Sequence, residues 1–258
     1  MPHAHKKEMI RITGLVNRFG DHLVHDGIDL NVYEHEVLGI VGGSGTGKSV
    51  LLNCMLGLRT PSAGEVRLFG QNICQDENGK LSFCQTRWGV LFQTGALFSG
   101  LTVLENVMTP IQEHSNASLL LIEEIARLKL HMVGLKETAF KKFPSELSGG
   151  MIKRAALARA LAMEPKIIFL DEPTAGLDPI SAAEFDALIL YLRAHLNLTV
   201  VMISHDMDSL LTLCDRFAVI VDKKAIVGER DDIIHHPHPW IQQYFGGVRG
   251  RAALASTS

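Results

Sequence analysis

The stretch VLGIVGGSGTGKSVLLNCML, residues 37–56, decides how this chain is read. Its first six residues, VLGIVG, are an uninterrupted apolar run entering glycines, the pattern of a strand buried on both faces. From Lys48 the apolar residues recur at helical spacing as far as Leu58, and Pro61 and Gly64 mark the exit. Between strand and helix, Gly42-Gly43-Ser44-Gly45-Thr46-Gly47-Lys48-Ser49 fits GxxxxGK[ST]. The glycines let the backbone turn so that successive N–H groups face a phosphate. The helix N-terminus adds roughly +0.5 of an elementary charge. In that chemistry Lys48 reaches the β- and γ-phosphates of a nucleotide and the Ser49 hydroxyl ligates Mg²⁺, and Val50 completes the phosphate-binding set. A glycine-rich turn with an exposed lysine is the plainer alternative, and the agreement of every motif position with its strand-to-helix context weighs against it.

A second stretch answers the first. KIIFLDE, residues 166–172, is an apolar strand ending in two carboxylates. Asp171 is placed to hold Mg²⁺, directly or through water, opposite Ser49. Glu172 is placed to orient an attacking water and take its proton. A carboxylate is a weak base at neutral pH, but a loose phosphoryl-transfer transition state depends mainly on positioning and charge stabilisation. Alone, such a strand end would be ordinary solvated charge; paired with the glycine loop it acquires this role.

Around these stretches, MIRITGLV and GIDLNVY read as strands, with turns at Gly20-Asp21 and Asp26-Gly27. EVRLFG (65–70) and RWGVLFQ (87–93) are further strands. Helical periodicity covers 119–135, ending near Gly134, and 149–163, ending before Pro165. Strand and helix then alternate: a helix over 181–195, LTVVMIS (198–204), a helix near 207–214 and FAVIVD (217–222). The alternation predicts an α/β fold with a mainly parallel sheet covered on both faces, an N-terminal antiparallel β portion and an inserted helical lobe. We expect a core lobe over 7–95 and 161–245, a helical lobe over 96–160, and a mobile tail over 246–258.

Composition excludes several classes. The 258 residues are 47% hydrophobic and 21% charged, enough to bury a sizeable core. Twenty-five Lys and Arg against 28 Asp and Glu leave a net charge of −3, with basic pairs short and scattered, so nucleic acid is not expected as a ligand. The four cysteines show no CxxC spacing, which fits neither a disulfide framework nor a zinc site. No apolar run reaches the ~18 residues of a membrane span, and the N-terminus has no signal-like apolar core. The expectation is a protein neither secreted nor membrane-spanning, with a peripheral membrane role open through a partner. The His235-His236-Pro237-His238-Pro239 run reads as a solvated loop, and Trp88 and Trp240 as packing residues.

Leu147-Ser148-Gly149-Gly150-Met151 lies between the glycine loop and the Asp171-Glu172 pair. Ser148 is a good N-cap, so one reading is simply a capped helix. In this order, however, LSGG resembles the signature of the ABC ATPases, and the resemblance runs from residue 7 to about residue 245. Gln93 in VLFQ matches the family's Q-loop, Ala175-Gly176-Leu177-Asp178 its D-loop, and Ser204-His205-Asp206 its switch histidine. Phe19 in NRFG matches the aromatic that stacks on adenine, although core packing is an equal reading of that residue. Two positions depart from the family pattern: Met151 stands where Gln is usual, and AGLD where SALD is common. Neither touches the residues that meet phosphate.

The resemblance implies a P-loop NTPase of the ABC ATPase type that hydrolyses ATP with Mg²⁺. It implies a head-to-tail dimer of two copies, with Ser148, Gly149, Gly150 and Asp178 acting across the interface. Catalytic roles fall on Lys48, Glu172 and His205, and Mg²⁺ on Ser49, Gln93 and Asp171. FQTGALF, PSELSGGM and RAALARA look like the ATPases of the Mla-type phospholipid transporters. Those work at the cytoplasmic face of the inner membrane with a permease, MCE-domain proteins and a STAS-domain protein. That subfamily maintains outer-membrane lipid asymmetry in Gram-negative bacteria. Leu97, Phe98 and Leu101 are read either as helical-lobe core or as a groove for a permease helix. The same engine on a small-solute importer is the nearest rival, followed by a soluble ABC protein acting on DNA or ribosomes. A GTPase is disfavoured because no NKxD or TKxD occurs.

Overall fold

The computed structural model describes residues 7–74 and 86–247, with Gly250 and Ala253. These fall into two compact units, one built from residues 7–74 and those from Thr199 onward, the other from residues 86 to 198.

The first unit opens with β1 (Glu8–Phe19) and β2 (His22–Tyr33), an antiparallel hairpin turning at Gly20-Asp21. Alternation buries Ile10, Ile12 and Leu15 against Ile28, Leu30 and Val32. The expected turn at Asp26-Gly27 is not a turn. Strand β2 runs through it, and the pairing steps from Leu15↔Ile28 to Val16↔Asp26, leaving Gly27 (φ 71°) as the extra residue of a bulge. A glycine at positive φ serves either geometry, and pairing with β1 selects the bulge. After β3 (Val37–Gly42) come α1 (Lys48–Met55), β4 (Ala63–Leu68) and β5 (Gln71–Asn72). The antiparallel sheet has the order β2-β1-β4-β5.

The second unit begins with β6 (Trp88–Leu91), followed by α2 (Val103–His114), α3 (Leu119–Met132) and α4 (Gly149–Ala160). Then come β7 (Ile167–Asp171), which pairs in parallel with β6, and α5 (Pro179–Leu196). Apolar periodicity does not delimit helix α2, yet TVLE carries its signal. The Thr102 side chain accepts from Glu105 N, and the Glu105 carboxylate accepts from Thr102 N at 2.7 Å, a capping box. Helix α4 stops at Ala160, short of the expected residue 163, and carries small buried residues, Ala155, Ala156 and Ala158 among them. Its last turn lies so close to β6 that a Cβ on Gly89 would collide with the Ala160 carbonyl.

The chain re-enters the first unit with β8 (Thr199–Ile203), α6 (Met207–Leu213), β9 (Arg216–Val221) and β10 (Lys224–Glu229). Strand β3 lies between β8 and β9, parallel to both, and β10 closes antiparallel on β9. Every residue of β3, β8 and β9 is buried, the two-sided burial that the apolar runs foretold. The buried Glu36 carboxylate accepts from Arg216 Nη1 at 2.9 Å, and Asp215 Oδ2 accepts from Val37 N at 2.8 Å, so the start of β3 is anchored to β9. Short α7 (Arg230–Ile234) and α8 (Pro239–Gly246) follow. His238 in the His/Pro run caps α8, accepting from Trp240 N at 3.2 Å, and Trp240 stacks on Tyr244. Of the expected tail, the structure describes only Gly246, Gly247, Gly250 and Ala253, and the remainder lies outside the described residues. Among the described residues no helix is long and apolar enough to cross a membrane.

Candidate functional site

In the first unit, β3 delivers the chain into the glycine loop and α1 carries it away. Gly47 is the N-cap of α1 at φ 92°, a left-handed conformation that glycine adopts without strain. A Cβ there would strike Val24 and lie 2.5 Å from His25 Nε2. At Gly42 a Cβ would meet Ile220 O and Thr46 Oγ1, each at 2.8 Å, so this position too requires glycine. Ser44 and Gly45 are exposed at the crest, and Ser49 is exposed at the first turn of α1. Thr46 Oγ1 donates to Gly43 O at 2.9 Å. Lys48 is 8% exposed and its ammonium donates to Gly42 O and Gly43 O, both at 2.8 Å. The lysine thus folds over its own loop and can exchange those carbonyls for phosphate oxygens.

His25 lies beneath this loop, fully enclosed. Asn17 Nδ2 donates to His25 Nδ1 at 3.0 Å, which makes Nδ1 the acceptor and places the ring proton on Nε2, toward the loop. Burial pushes the imidazole pKa down, partly countered by the Thr46 backbone. Phe19, at the end of β1, is 45% exposed and is no core residue. The Arg59 guanidinium covers one ring face at 3.8 Å. His205 is exposed just after β8, in the turn where Asp206 N binds Ser204 Oγ at 3.0 Å and Asp206 caps α6.

The second unit places Asp171 and Glu172, both half-buried, at the end of β7. Glu172 has φ 50°, a left-handed conformation that costs a non-glycine residue on the order of 1–3 kcal/mol and that surrounding contacts must hold. One such contact is Lys153 of α4. Its side chain is 4% exposed, and its ammonium donates to Glu172 O at 2.8 Å and to Gln93 O at 2.6 Å. Desolvation pushes the Lys153 pKa down, opposed by the charges of Glu172 and Asp171. Gln93 itself is exposed. Further along α4, Arg159 donates to Gly95 O at 2.8 Å and Ala96 O at 2.7 Å. Neither Lys153 nor Arg159 was marked by the sequence reading. Their one signal is that cations, Arg154 among them, interrupt the apolar residues of MIKRAALARA.

At the N-terminus of α4, Ser148 Oγ accepts from Met151 N at 3.3 Å. Ser148 and Gly149 are exposed and Gly150 half-buried. Among the described residues a Cβ on Gly149 or Gly150 would meet only Leu177 Cδ2, at 3.8 and 3.9 Å, and none of them demands glycine at either position. A cavity of about 410 Å³ opens here, lined by Ser148, Gly150, Met151, Arg154, Leu177 and Ser181 among others. Asp178 caps α5: Oδ1 accepts from Ile180 N and Ser181 N, and Ser181 Oγ donates to Oδ2 at 2.6 Å. These bonds, the Ser181 hydroxyl first, hold the Asp178 carboxyl below its ordinary pKa. Phe98 is 53% exposed and so is not core, while Leu97 and Leu101 are half-buried. Among the described residues no group of three or more His, Cys, Asp or Glu is placed to hold a metal by itself. Ser49 in the first unit and Gln93 and Asp171 in the second each carry oxygen donors, the donor type that Mg²⁺ takes.

A glycine loop between a buried parallel strand and a helix, an acidic pair at a strand end and a serine-capped glycine helix together define an ATP-binding cassette. The family model for the ABC transporter matches residues 25–175, and the chain belongs to that family as one of its ATPases. The intermembrane phospholipid transport system ATP-binding protein MlaF of Haemophilus influenzae is 39% identical over 93% of this chain and 91% of that protein. The Escherichia coli (strain K12) MlaF is 38% identical over 89% of this chain and 85% of its own length. A probable ribonucleotide transport ATP-binding protein, mkl of Mycobacterium leprae, is 36% identical over 93% of this chain and 69% of that protein. Among solved structures, a dimeric ATP-binding cassette in a post-hydrolysis state with ADP and Pi matches with a TM-score of 0.78 and 29% identity, covering 86% of this chain and 98% of that one. The cbiO1 subunit from Clostridium perfringens matches with a TM-score of 0.80 at 26% identity, covering 98% of this chain and 100% of that one.

Proposed function

We propose that this ATPase drives a membrane transporter that moves phospholipid between the inner and outer membranes of a Gram-negative bacterium, maintaining outer-membrane lipid asymmetry. The observation that carries the reading is the full motif set on a chain whose similarity to the MlaF proteins extends over nearly its whole length. Residues Gly42 to Val50 would cradle the triphosphate, and Phe19 would stack its free face on adenine. Ser49, Gln93 and Asp171 would hold Mg²⁺, whose chemistry is charge neutralisation at the β- and γ-phosphates. Glu172 would orient the attacking water, and His205 and Lys48 would hold the γ-phosphate.

Two copies would act head to tail, each presenting Ser148, Gly149 and Gly150 to the nucleotide of the other and reaching across with Asp178. Support comes from the glycines themselves. The described residues of their own chain leave room for side chains, so bare backbone there would serve an approach from outside, as a partner's γ-phosphate would make. ATP then adds contacts that only the closed dimer makes, and hydrolysis removes them. The chain would sit on the cytoplasmic face of the inner membrane, bound to an integral permease, with MCE-domain and STAS-domain subunits in the complex and no nucleic acid. Exposed Phe98 fits a groove for a permease helix. A small-solute importer is the second reading, favoured by the relative named for ribonucleotide transport.

The test is a pull-down of Glu172→Gln, trapped with ATP, from gently solubilised membranes, with mass spectrometry of protein and lipid. An integral permease, an MCE protein and enriched phospholipid are expected. A different permease without lipid would transfer support to the importer, and soluble partners alone would refute the transport role.

A further inference from the structure

Helix α4 carries more than the glycine signature at its start. Lys153 projects from it into an almost closed space and ends on two backbone carbonyls from distant parts of the chain, Gln93 O at 2.6 Å and Glu172 O at 2.8 Å. A lysine rarely surrenders its hydration unless its donors are met, and an ammonium is a compact point charge that satisfies two carbonyls at once. The two residues it joins both need outside support. Glu172 holds a left-handed conformation, its carbonyl also accepting from Ala175 N at 3.2 Å. Gln93 lies in a turn closed by Gly95 N donating to Phe92 O at 2.7 Å, with Ala96 left-handed just beyond at φ 46°. The far side of that turn is gripped by the same helix, through Arg159 to Gly95 O and Ala96 O. Ile152 fills the space beside Gly95, where a Cβ would lie 2.8 Å from Ile152 Cγ2.

We propose that Lys153 is a positioning residue for ATP hydrolysis, tying the backbones of Gln93 and Glu172 to helix α4 so that both move as one body with Ser148–Gly150. This rests on the roles assigned to Glu172 and Gln93 above. The water-orienting carboxylate is one side chain away from the carbonyl that Lys153 holds, and that carbonyl sits on a strained backbone that relaxes once released. Removing the ammonium takes from both carbonyls the donor that joins them, and the Glu172 backbone loses one of the contacts that hold it in the left-handed region. Among the described residues the Lys153 ammonium donates to the Gln93 and Glu172 carbonyls, so a change there is expected to separate turnover from nucleotide affinity.

The experiment compares wild type, Lys153→Met, Lys153→Arg and Glu172→Gln as purified full chains, measuring MgATP affinity, turnover at saturating ATP and melting temperature. Lys153→Met keeps the aliphatic stem and lowers turnover by roughly 10²-fold, the scale of a misplaced catalytic group, while affinity stays within about twofold. Lys153→Arg keeps the charge and several donors and retains more than about a tenth of the wild-type rate. Turnover of Lys153→Met within about threefold of wild type, with Glu172→Gln inactive, would overturn the inference and leave the reading of the site intact. Parallel loss of affinity, turnover and melting temperature would reduce Lys153 to a structural role and equally overturn it. An active Glu172→Gln would instead refute the site assignment beneath it. Should Lys153→Met not fold, Lys153→Gln, which keeps one amide donor, carries the same comparison of rate against affinity.

Discussion

Replacing His25 with Gln tests whether the floor of the nucleotide loop is pH-sensitive. The imidazole is fully enclosed, its Nδ1 accepts from Asn17, and its Nε2 faces the Thr46–Gly47 backbone. The neighbouring Cys54 thiol, whose Sγ also receives a bond from Asn17 at 3.4 Å, is pushed up by burial and stays neutral. Because burial lowers the folded-state pKa below the ordinary 6.5, the unfolded chain binds more protons at this position than the folded one. Its contribution is therefore complete above pH 6.5 and is lost as pH falls from 6.5 toward the folded value. Within that window one proton costs about 1.4 kcal/mol of stability per pH unit. The other histidines and the carboxylates titrate too, so the useful quantity is the difference between wild type and His25→Gln. Urea unfolding at a series of values from about pH 5 to 8 supplies it, with wild-type stability falling faster below 6.5 and the difference flat above about 7. A difference that is flat throughout, or that grows toward acid in favour of wild type, would refute the reasoning.

Three further outcomes are expected. Lys48→Ala removes charge-assisted contacts worth roughly 1.5–3 kcal/mol each and weakens ATP binding by at least about tenfold, as read by nucleotide titration. Ser148→Arg leaves nucleotide binding to the single chain unchanged but blocks ATP-driven dimerisation; equal dimerisation by light scattering would refute the trans site. Gly89→Ala sets a methyl against the Ala160 carbonyl and costs about 1–3 kcal/mol or more in denaturant unfolding, whereas Gly149→Ala, with only Leu177 nearby, leaves stability within about 0.5 kcal/mol.

The two glycine substitutions show what motif spacing contains. Gly42, Gly47, Gly149 and Gly150 look alike in sequence, and all four fall in motifs. Only the packed structure separates those demanded by the fold, where Ile220, Thr46, Val24 and His25 fill the space of a Cβ, from those that the chain leaves bare. Phe19 was open between core and base stack, and its exposure under Arg59 removes the core reading.

Local signals carried most of the architecture. The apolar runs of β3, β7, β8 and β9 declare two-sided burial by themselves, because a strand covered on both faces has no polar side to show. The strand-to-helix glycine loop and the Ser148 cap are likewise written in contiguous residues. Capping chemistry also marks α2 through Thr102 and Glu105, just after apolar residues that fit either a lobe core or a groove. Tertiary structure alone decided the rest. Asp26-Gly27 became a bulge because β1 pairs across it, and pairing is set by a partner strand rather than by the dipeptide. The partners of His25 beneath Gly47, and of Lys153 between Gln93 and Glu172, are given by no local pattern, since each joins residues far apart in the chain. The sequence names the groups proposed to meet phosphate, because their spacing is fixed by one turn of backbone. The groups that hold them in place are fixed by packing, and packing is not local.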